Sequence, residues 1–277
     1  YTLIAKFVRE LGDDIQALRR QSLDCSQRQR HRGPDWSGVY LDDGAILVHE
    51  RLAIVDPAGG SQPLLSDDRR LALAVNGEIY NHKQLKGELT RDYAFQTESD
   101  CEVINALYLE DAPASFLNRL NGIFASALWD AGNGRAIIAR DPLGVCPLYW
   151  GHDREGRLRV ASEMKSLVDE CADVAQFPPG HWYDTATGEL TKYYERPWRD
   201  YDAVEGVDVS LQELREAFEA AVHRQLMTDV PYGVLLSGGL DSSLVAAVAA
   251  RYARHRIEDG DKTEAWWPRL HSFAIGL

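Results

Sequence analysis

Short apolar runs separated by polar turn residues fill the first two thirds of the chain, a pattern typical of β-strands. Helices are predicted between some of these runs, over about residues 13–28, 82–90, 101–109 and 114–120. Strands in succession with few helices between them favour an α+β layered sandwich over a βαβ domain. The predicted strands, most of them bounded by Gly, Asp or Asn, are Trp36–Leu41, Ala45–Val48, Leu71–Val75, Ile123–Asp130, Arg135–Asp141, Leu148–His152, Leu158–Ser162, His181–Asp184 and Glu189–Tyr194.

The pattern changes after Tyr194. Residues 196–209 are polar and acidic without a clear period, which predicts a linker. Ser210 and Glu213 then form a capping box, and the apolar residues that follow have helical spacing. A helix is therefore predicted to begin at Ser210.

The last segment predicts the opening of a parallel α/β sheet. A buried strand at Val230–Leu236 is followed by a glycine turn, a helix at Leu244–His255 and a strand at His271–Ile275. Because only two strands are present, we expect this second domain to be incomplete in the sequence. The predicted organisation is one complete domain over residues 1–195, a linker over 196–209 and an incomplete domain over 210–277.

Composition narrows the class of protein. A chain of 277 residues with 45% hydrophobic and 26% charged residues fits about two globular domains. With 30 basic and 43 acidic residues the formal charge is −13, which disfavours nucleic acid as a partner. No apolar run approaches the ~18–20 residues of a membrane span. The cysteines are far apart, so no disulfide or zinc site is expected and a cytoplasmic location is predicted; they are Cys25, Cys101, Cys146 and Cys171.

The segment S-G-G-L-D-S, at Ser237–Ser242, lies between a predicted strand and a predicted helix. Its glycines allow the backbone to approach an anion closely, and the N-terminus of the helix adds free N–H groups, so a phosphate-binding loop is predicted. Asp241 is a candidate Mg²⁺ ligand beside the phosphates. The alternative is an ordinary strand-to-helix turn with an aspartate cap.

A second constellation lies in the β-rich domain. Arg51, the Asn76-Gly77-Glu78 segment and Asp100 together offer a guanidinium, carboxylates and amide donors. A bound α-amino acid needs these groups for its carboxylate, its ammonium and a developing oxyanion, respectively. Each also has a structural interpretation: Arg51 as a strand-edge charge, Asn76-Gly77 as a hairpin turn, and Asp100 as a helix cap with Ser99.

Taken together, the segments resemble the glutamine-dependent asparagine synthetases, and among them the bacterial B-type enzymes. The resemblance runs from about Arg28 to the last residue. The stretches that carry it are R-H-R-G-P-D-W-S-G (30–38), H-E-R-L-A-I-V-D (49–56), N-G-E-I-Y-N-H (76–82), S-D-C-E-V-I (99–104), R-D-P-L-G-V (140–145), A-S-E-M-K (161–165), D-V-P-Y-G-V-L-L-S-G-G-L-D-S-S (229–243) and E-A-W-W-P-R-L-H-S-F (264–273).

The resemblance implies a class II glutamine amidotransferase domain of the N-terminal-nucleophile type, an αββα sandwich. It implies that Arg51 holds the α-carboxylate of glutamine, with the backbone of Ile54 and Val55 lining the same pocket. The α-ammonium would be held by Glu78 and Asp100, and the oxyanion by the Asn76 side chain and the Gly77 N–H.

For the second domain the resemblance implies an ATP-pyrophosphatase-type synthetase. Its loop would bind ATP through Ser237, Gly238, Gly239, Asp241 and Ser242, and Leu235 and Ile275 would flank the adenine. The implied reaction is Mg²⁺-assisted formation of β-aspartyl-AMP from aspartate and ATP, followed by attack of ammonia derived from glutamine to give asparagine. Members of this family often form dimers, so a homodimer is a possible assembly.

Two departures from the family pattern change this expectation. Tyr1 occupies the position of the nucleophilic cysteine, and a phenol with a pKa of about 10 is a poor replacement for a thiol near 8.5. The sequence also ends at Leu277, before any S-G-E-G-S-D-E motif. We therefore expect a fragment or altered form with impaired or no activity. The alternatives are a non-catalytic module that binds glutamine or nucleotide, and another amidotransferase of the β-lactam synthetase type.

Overall fold

The computed structural model describes residues 2–7, 15–206, 208, 210–257, 260, 262, 264–265 and 268–275. Contacts between residues divide the chain into two compact units, Tyr1–Glu195 and Arg196–Leu277. Each unit is described separately below.

The first unit consists of two antiparallel six-stranded sheets with helices on their outer faces. Its helices are α1 (Ile15–Gln27), α2 (His82–Glu88), α3 (Val103–Glu110) and α4 (Pro113–Arg119). Its strands are β1 (Thr2–Phe7), β2 (Trp36–Leu41), β3 (Ala45–Arg51), β4 (Leu64–Leu65), β5 (Leu71–Ile79), β6 (Gly122–Asp130), β7 (Arg135–Arg140), β8 (Tyr149–His152), β9 (Leu158–Ala161), β10 (Ala175–Gln176), β11 (His181–Asp184) and β12 (Glu189–Lys192).

The strand order is β10-β8-β9-β1-β3-β2 in one sheet and β12-β11-β7-β6-β5-β4 in the other. Successive residues of β1 show why the unit is layered. Leu3 and Ala5 face the core between the sheets, whereas Ile4 packs with Leu18 of α1 on the outer side. On the far side, α3 and α4 cover β5 and β6 with a separate apolar cluster. The predicted α+β class and the αββα sandwich are confirmed.

Strand β1 was not predicted by the alternation of polar and apolar residues, although it is central to its sheet. It pairs with β3 from Thr2↔Glu50 to Phe7↔Ala45, and with β9 on its other edge. All six of its residues are buried because both faces are covered. A strand covered on both faces has no alternation to detect.

The second unit contains a two-stranded parallel sheet and three helices in its described residues. The strands are β13 (Gly233–Leu235) and β14 (His271–Phe273), and the helices are α5 (Tyr201–Val204), α6 (Leu211–Arg224) and α7 (Leu240–Tyr252). The capping function predicted for Ser210 is confirmed, since its hydroxyl accepts a hydrogen bond from the Glu213 N–H at 3.2 Å.

The structure differs from the sequence prediction at several places in this unit. The strand predicted as buried at Val230–Leu236 is limited to Gly233–Leu235, where only Val234 is buried, and the strand predicted at His271–Ile275 ends at Phe273. The segment predicted as an irregular linker contains a 3₁₀ turn at Pro197–Arg199 and the short α5. Helix α7 begins at Leu240, four residues before the predicted start, because Gly239 is its N-cap residue.

None of the helices in the described part of the chain has the length and apolar character that a membrane span requires.

Candidate functional site

One edge of the first unit brings together residues that are distant in the sequence. Arg51 is the last residue of β3, and Asn76, Gly77 and Glu78 lie near the end of β5. Asp100 begins a 3₁₀ turn that precedes α3. The residues predicted from the sequence to contact an amino acid therefore stand on three neighbouring elements.

Arg51 is 3% exposed and holds the loop that follows β3. Its Nη2 donates hydrogen bonds to the carbonyl oxygens of Val55 at 3.0 Å and Asp56 at 2.6 Å, and Nη1 donates to that of Pro57 at 3.3 Å. Its Nε is buried and has no hydrogen-bond partner among the described residues. Since an unsatisfied buried donor on a guanidinium is costly, this atom fits a carboxylate ligand. Ile54 and Val55 lie in the loop that Arg51 supports.

The hairpin-turn interpretation of Asn76-Gly77 is wrong, because both residues lie inside β5. Asn76 pairs with Ala125 and Gly77 with Phe124 of β6. Gly77 has a φ of +145°, and a Cβ built on it would lie 2.0 Å from the carbonyl oxygen of Ile123. Only glycine fits this position. The Asn76 side chain is 5% exposed.

The carboxyl groups of Glu78 and Asp100 lie next to Asn76-Gly77. Asp100 is 1% exposed, and its Oδ2 accepts a hydrogen bond from the Ile79 N–H at 2.5 Å. Burial raises the pKa of Asp100, against the hydrogen bond from the Ile79 N–H and the neighbouring Glu78 carboxyl, which lower it. The cap of the following turn is Ser99, whose hydroxyl accepts from the Cys101 N–H at 3.3 Å, so Asp100 is not the cap. A buried carboxyl pair favours the binding of a cation such as an α-ammonium group.

Cys101 follows Asp100 but lacks the properties of a nucleophile. Its sulfur lies 3.5 Å from the Gly77 carbonyl oxygen, to which it donates a hydrogen bond. Burial, together with the nearby carboxylates, raises the pKa of this thiol well above its ordinary value. The thiol is therefore neutral at physiological pH.

Ser162 belongs to the A-S-E-M-K segment, and no pattern in the sequence assigned it a role. Its hydroxyl accepts a hydrogen bond from the Leu3 N–H at 2.9 Å and lies 3.5 Å from Asn76 Nδ2. Ser162 therefore connects β1 to the predicted oxyanion-binding side chain. Tyr1, which the resemblance puts at the position of the nucleophile, lies outside the described residues.

In the second unit, the segment Ser237–Ser242 spans the exposed loop after β13 and the first turn of α7. Gly238 has a φ of +85°, and nothing lies within 4 Å of a Cβ built on it. The hydroxyls of Ser237 and Ser242 are 3.0 Å apart. The aspartate-cap alternative is wrong, since Gly239 is the N-cap and Asp241 lies in the first turn of α7. An open glycine loop before a thirteen-residue helix suits a phosphate group.

Leu235 and Ile275, predicted to flank adenine, are 82% and 100% exposed. Leu235 is the last residue of β13 and is in register with Phe273 of β14. Both predicted adenine contacts thus lie at or beyond the carboxyl ends of parallel strands, the edge at which α/β sheets bind ligands. Among the described residues, no group of three or more His, Cys, Asp or Glu side chains is arranged to hold a metal ion.

Comparisons with known proteins agree with this geometry. The sequence model of the glutamine amidotransferase domain family matches residues 12–177, and that of the asparagine synthase family matches residues 213–277. The chain is 53% identical to asparagine synthetase B of Escherichia coli (strain K12), over 98% of this chain and 49% of the relative. The chain belongs to the glutamine-dependent asparagine synthetase family of amidotransferases.

Another asparagine synthetase relative, a probable glutamine-hydrolysing enzyme of Dictyostelium discoideum, is 49% identical over 96% of this chain and 48% of its own length. The chain therefore spans about half the length of the curated relatives it matches. These relatives favour the asparagine synthetases over the β-lactam synthetase alternative.

Solved structures share the fold of this asparagine synthetase family member. Glutamine phosphoribosylpyrophosphate amidotransferase from B. subtilis, in complex with ADP and GMP, has a TM-score of 0.57 at 21% identity, covering 91% of this chain and 64% of its own. A structure described as the allosteric regulatory enzyme of purine biosynthesis has a TM-score of 0.54 at 23% identity, with coverages of 90% and 62%. At these identities the likeness shows the fold alone.

Proposed function

We propose that this chain carries the glutamine site and the nucleotide loop of an ATP-dependent, glutamine-hydrolysing asparagine synthetase. The observation that carries the glutamine half is that neighbouring elements present both an unsatisfied Arg51 Nε and a buried Glu78–Asp100 carboxyl pair, beside Asn76 and Gly77. A free α-amino acid presents opposite charges on adjacent groups, and this site offers a partner for each. In this proposal glutamine binds here before its side-chain amide is hydrolysed.

Hydrolysis develops negative charge on the amide oxygen of glutamine. In the proposed mechanism the Asn76 side-chain amide and the Gly77 N–H donate hydrogen bonds to that oxygen. Preorganised donors of this kind stabilise the tetrahedral transition state because they need not reorient when the charge appears. Ser162 Oγ accepts a hydrogen bond from Asn76 Nδ2 at 3.5 Å, which would hold the side-chain amide in place.

The nucleotide half of the proposal rests on the loop before α7. Ser237, Gly238, Gly239 and Ser242 would donate to the phosphates of ATP, and Leu235 and Ile275 would contact the adenine. The aspartate side-chain carboxylate attacks the α-phosphorus of ATP and pyrophosphate leaves, which gives β-aspartyl-AMP. Ammonia from glutamine then attacks the acyl carbon, and AMP leaves as asparagine forms.

Mg²⁺ is the metal ion expected with ATP. The exposed Asp241 offers one carboxylate, which fits an ion that takes its other ligands from phosphate oxygens and water. Bound there, the ion would neutralise charge on the phosphates. A cytoplasmic location and a homodimer also stay predictions; the four cysteines, all free and buried, agree with a reducing compartment.

Calorimetric titration of the full chain with glutamine tests the first half of the proposal. Saturable binding is expected, and Glu78→Gln should weaken it by about 10-fold or more, because a hydrogen bond to a charged group contributes about 1.5–3 kcal/mol. Glu189→Gln, an exposed change on β12, is the matched control and should leave affinity unchanged. A folded wild-type chain that binds no glutamine would contradict the proposal.

A fluorescent ATP analogue titrated in the presence of Mg²⁺ tests the second half. Gly238→Ala should weaken binding by about 10-fold, since a side chain in the left-handed region costs roughly 1–2 kcal/mol. Gly206→Ala meets the same conformational cost at φ +75° with open space around it, but lies outside the loop. Equal affinity for the two variants would reject the loop as the nucleotide site.

The second candidate is a module that binds glutamine without hydrolysing it. The state of Cys101 favours it, because this thiol beside Gly77 has a raised pKa and is a weak nucleophile at neutral pH. The two functions differ in one measurement, the release of glutamate from glutamine by purified protein. Turnover at enzymatic rates supports the synthetase-linked glutaminase, and saturable binding without turnover supports the module.

A further inference from the structure

A cavity of about 560 Å³ opens on the first unit, away from the residues assigned above to glutamine. Its walls come from the connection between α3 and α4, from the β6–β7 turn and from β11. The lining includes Arg70, Arg91, Tyr108, Ala112, Arg135 and Trp182. A volume of this size is in the range of small-molecule pockets, about 300–1,000 Å³.

Three of the lining residues are arginines, and two of them are held in fixed orientations by buried acids. Arg70 makes two hydrogen bonds to Asp130, at 2.8 and 2.7 Å, and Arg135 makes two to Asp184, at 3.0 and 2.8 Å. Asp130 and Asp184 are at most 2% exposed and do not line the cavity. In both Arg70 and Arg135, Nη1 makes no hydrogen bond to the described residues, which leaves donors for a ligand.

Arg91 is the third guanidinium, and it forms no ion pair with a carboxylate among the described residues. Its Nη1 donates to the Leu109 carbonyl oxygen at 2.7 Å, which places the side chain against the α3–α4 connection. The acid that lines the cavity, Asp111, is itself paired with Arg119 at 3.0 Å. The lining therefore presents more positive than negative charge, and Arg91 is the cation without an acidic partner.

Apart from Asn133, the remaining lining residues are apolar or aromatic. Trp182 packs against the cluster that includes α3 and α4, and Tyr108 donates its hydroxyl to Asp130 at 3.0 Å, so its ring rather than its hydroxyl is available. Leu109, Ala112 and Pro113 complete this side. A ligand with a flat, apolar body would bury that surface while its anionic group meets the arginines.

The cavity and the glutamine residues lie at opposite ends of the same strand. Arg70 immediately precedes β5, whereas Asn76 to Glu78 lie near its other end. Asn76 lies six positions after Arg70 along the extended chain, which corresponds to about 20 Å. A ligand of ordinary size in this cavity therefore does not reach the Asn76 side chain.

We propose that this cavity is a second ligand site, which binds a small organic anion with a carboxylate or phosphate group on a ring-shaped apolar body. The probe for the test is 4-fluorobenzoate, titrated against the full chain by ¹⁹F NMR, with the neutral 4-fluorobenzamide as the matched ligand control. Saturable binding of the acid and much weaker binding of the amide are expected. Fluorophenyl phosphate, titrated in the same way, shows which oxyanion the site prefers.

Three variants localise the binding. Arg91→Gln should weaken it by about 10-fold, because one charge-assisted hydrogen bond is lost. Ala112→Trp should abolish it by filling the cavity. Arg154→Gln, the same charge change at an exposed turn elsewhere in the unit, should have no effect. The thermal unfolding curve of each variant shows that it is folded.

Saturating glutamine separates this proposal from the proposed function. The probe should stay bound when glutamine is added, whether or not the chain binds or hydrolyses glutamine. The proposal is overturned if neither anion binds saturably, if glutamine displaces the probe, or if Arg91→Gln and Ala112→Trp, both folded, bind it as the wild type does.

Discussion

Leu3 and Ser162 are joined by two hydrogen bonds, one to the serine hydroxyl and one between the two backbones. The Leu3 N–H donates to Ser162 Oγ at 2.9 Å, and the Ser162 N–H donates to the Leu3 carbonyl oxygen at 3.0 Å. Both residues are fully buried. The start of the central strand β1 is thus fixed to the residue that follows β9, and the same serine hydroxyl lies 3.5 Å from Asn76 Nδ2.

Ser162→Ala should destabilise the first unit by about 1–3 kcal/mol, because the buried Leu3 N–H loses its acceptor. Equilibrium denaturation of the full chain in urea measures this change. Ser115→Ala, on the exposed face of α4, removes a hydroxyl that accepts no such bond and should change stability by less than about 0.5 kcal/mol. Equal midpoints for the two variants would show that the Leu3 contact contributes nothing.

Gly77 and Gly87 should respond oppositely to the same substitution. Gly77→Ala puts a Cβ 2.0 Å from a backbone oxygen at a φ of +145°, so a loss of about 3 kcal/mol or more is expected. Gly87 lies in helix α2 with nothing within 4 Å of a Cβ, and Gly87→Ala should stabilise by about 0.5–1 kcal/mol. Thermal unfolding of both variants gives the two signs. A stable Gly77→Ala protein would mean that β6 can move away from β5.

Patterns that depend on neighbouring residues were sufficient for much of the fold. Strand β2 at Trp36–Leu41 and the Ser210 cap were predicted at their observed positions, because turn residues and capping residues act locally. Strand β1 was missed, since a strand buried on both faces lacks the alternation that identifies its neighbours. Its Lys6 also reads as a surface residue until Glu170, 164 positions later, is placed beside it.

The candidate site shows the same division. Asn76-Gly77 read alone as a hairpin signal, and only the resemblance indicated otherwise; the register with Ala125 and Phe124 shows that the pair lies inside a strand. Ser162 could not be selected from the sequence, because its contact with Leu3 spans 159 positions and a lone serine has no distinguishing pattern. Contacts of this length follow from sheet topology, which the order of local patterns does not determine.

Lys6 and Glu170 form an ion pair that is almost completely withdrawn from water. Lys6 Nζ lies 2.8 and 2.6 Å from the two carboxylate oxygens, and the side chains are 1% and 17% exposed. Glu170→Gln should destabilise the unit by about 3 kcal/mol, because the lysine keeps a buried charge without compensation. Urea denaturation at neutral pH measures the loss.

The exposed pair of Lys192 and Glu195, at 2.6 Å, is the control for this prediction. Glu195→Gln should cost less than about 0.5 kcal/mol, because water screens an exposed pair. Replacing both Lys6 and Glu170 by Met should recover most of the stability lost in Glu170→Gln. A double variant that is as unstable as the single one would show that packing, rather than the uncompensated charge, explains the loss.

Asp100→Asn should raise stability while it weakens glutamine binding. Burial raises the pKa of Asp100 above its ordinary 3.8, so the folded chain binds more protons than the unfolded chain between the two values. The free energy of unfolding therefore falls as the pH rises from 3.8 through the raised pKa, and the ionised carboxylate destabilises the fold above it. Asparagine retains an oxygen for the Ile79 N–H and does not ionise, so its stability advantage over the wild type should grow across this range.

Glutamine affinity should fall in the same variant by about 10-fold or more, because the α-ammonium loses a carboxylate partner. Urea denaturation at several pH values and calorimetry with glutamine measure the two effects. Asp92→Asn, at an exposed position, should alter neither. If the stability difference between Asp100→Asn and the wild type is independent of pH, the carboxyl is not held at a raised pKa. If affinity is unchanged while the stability difference follows the predicted pH course, Asp100 is a buried structural acid and Glu78 alone faces the ammonium group.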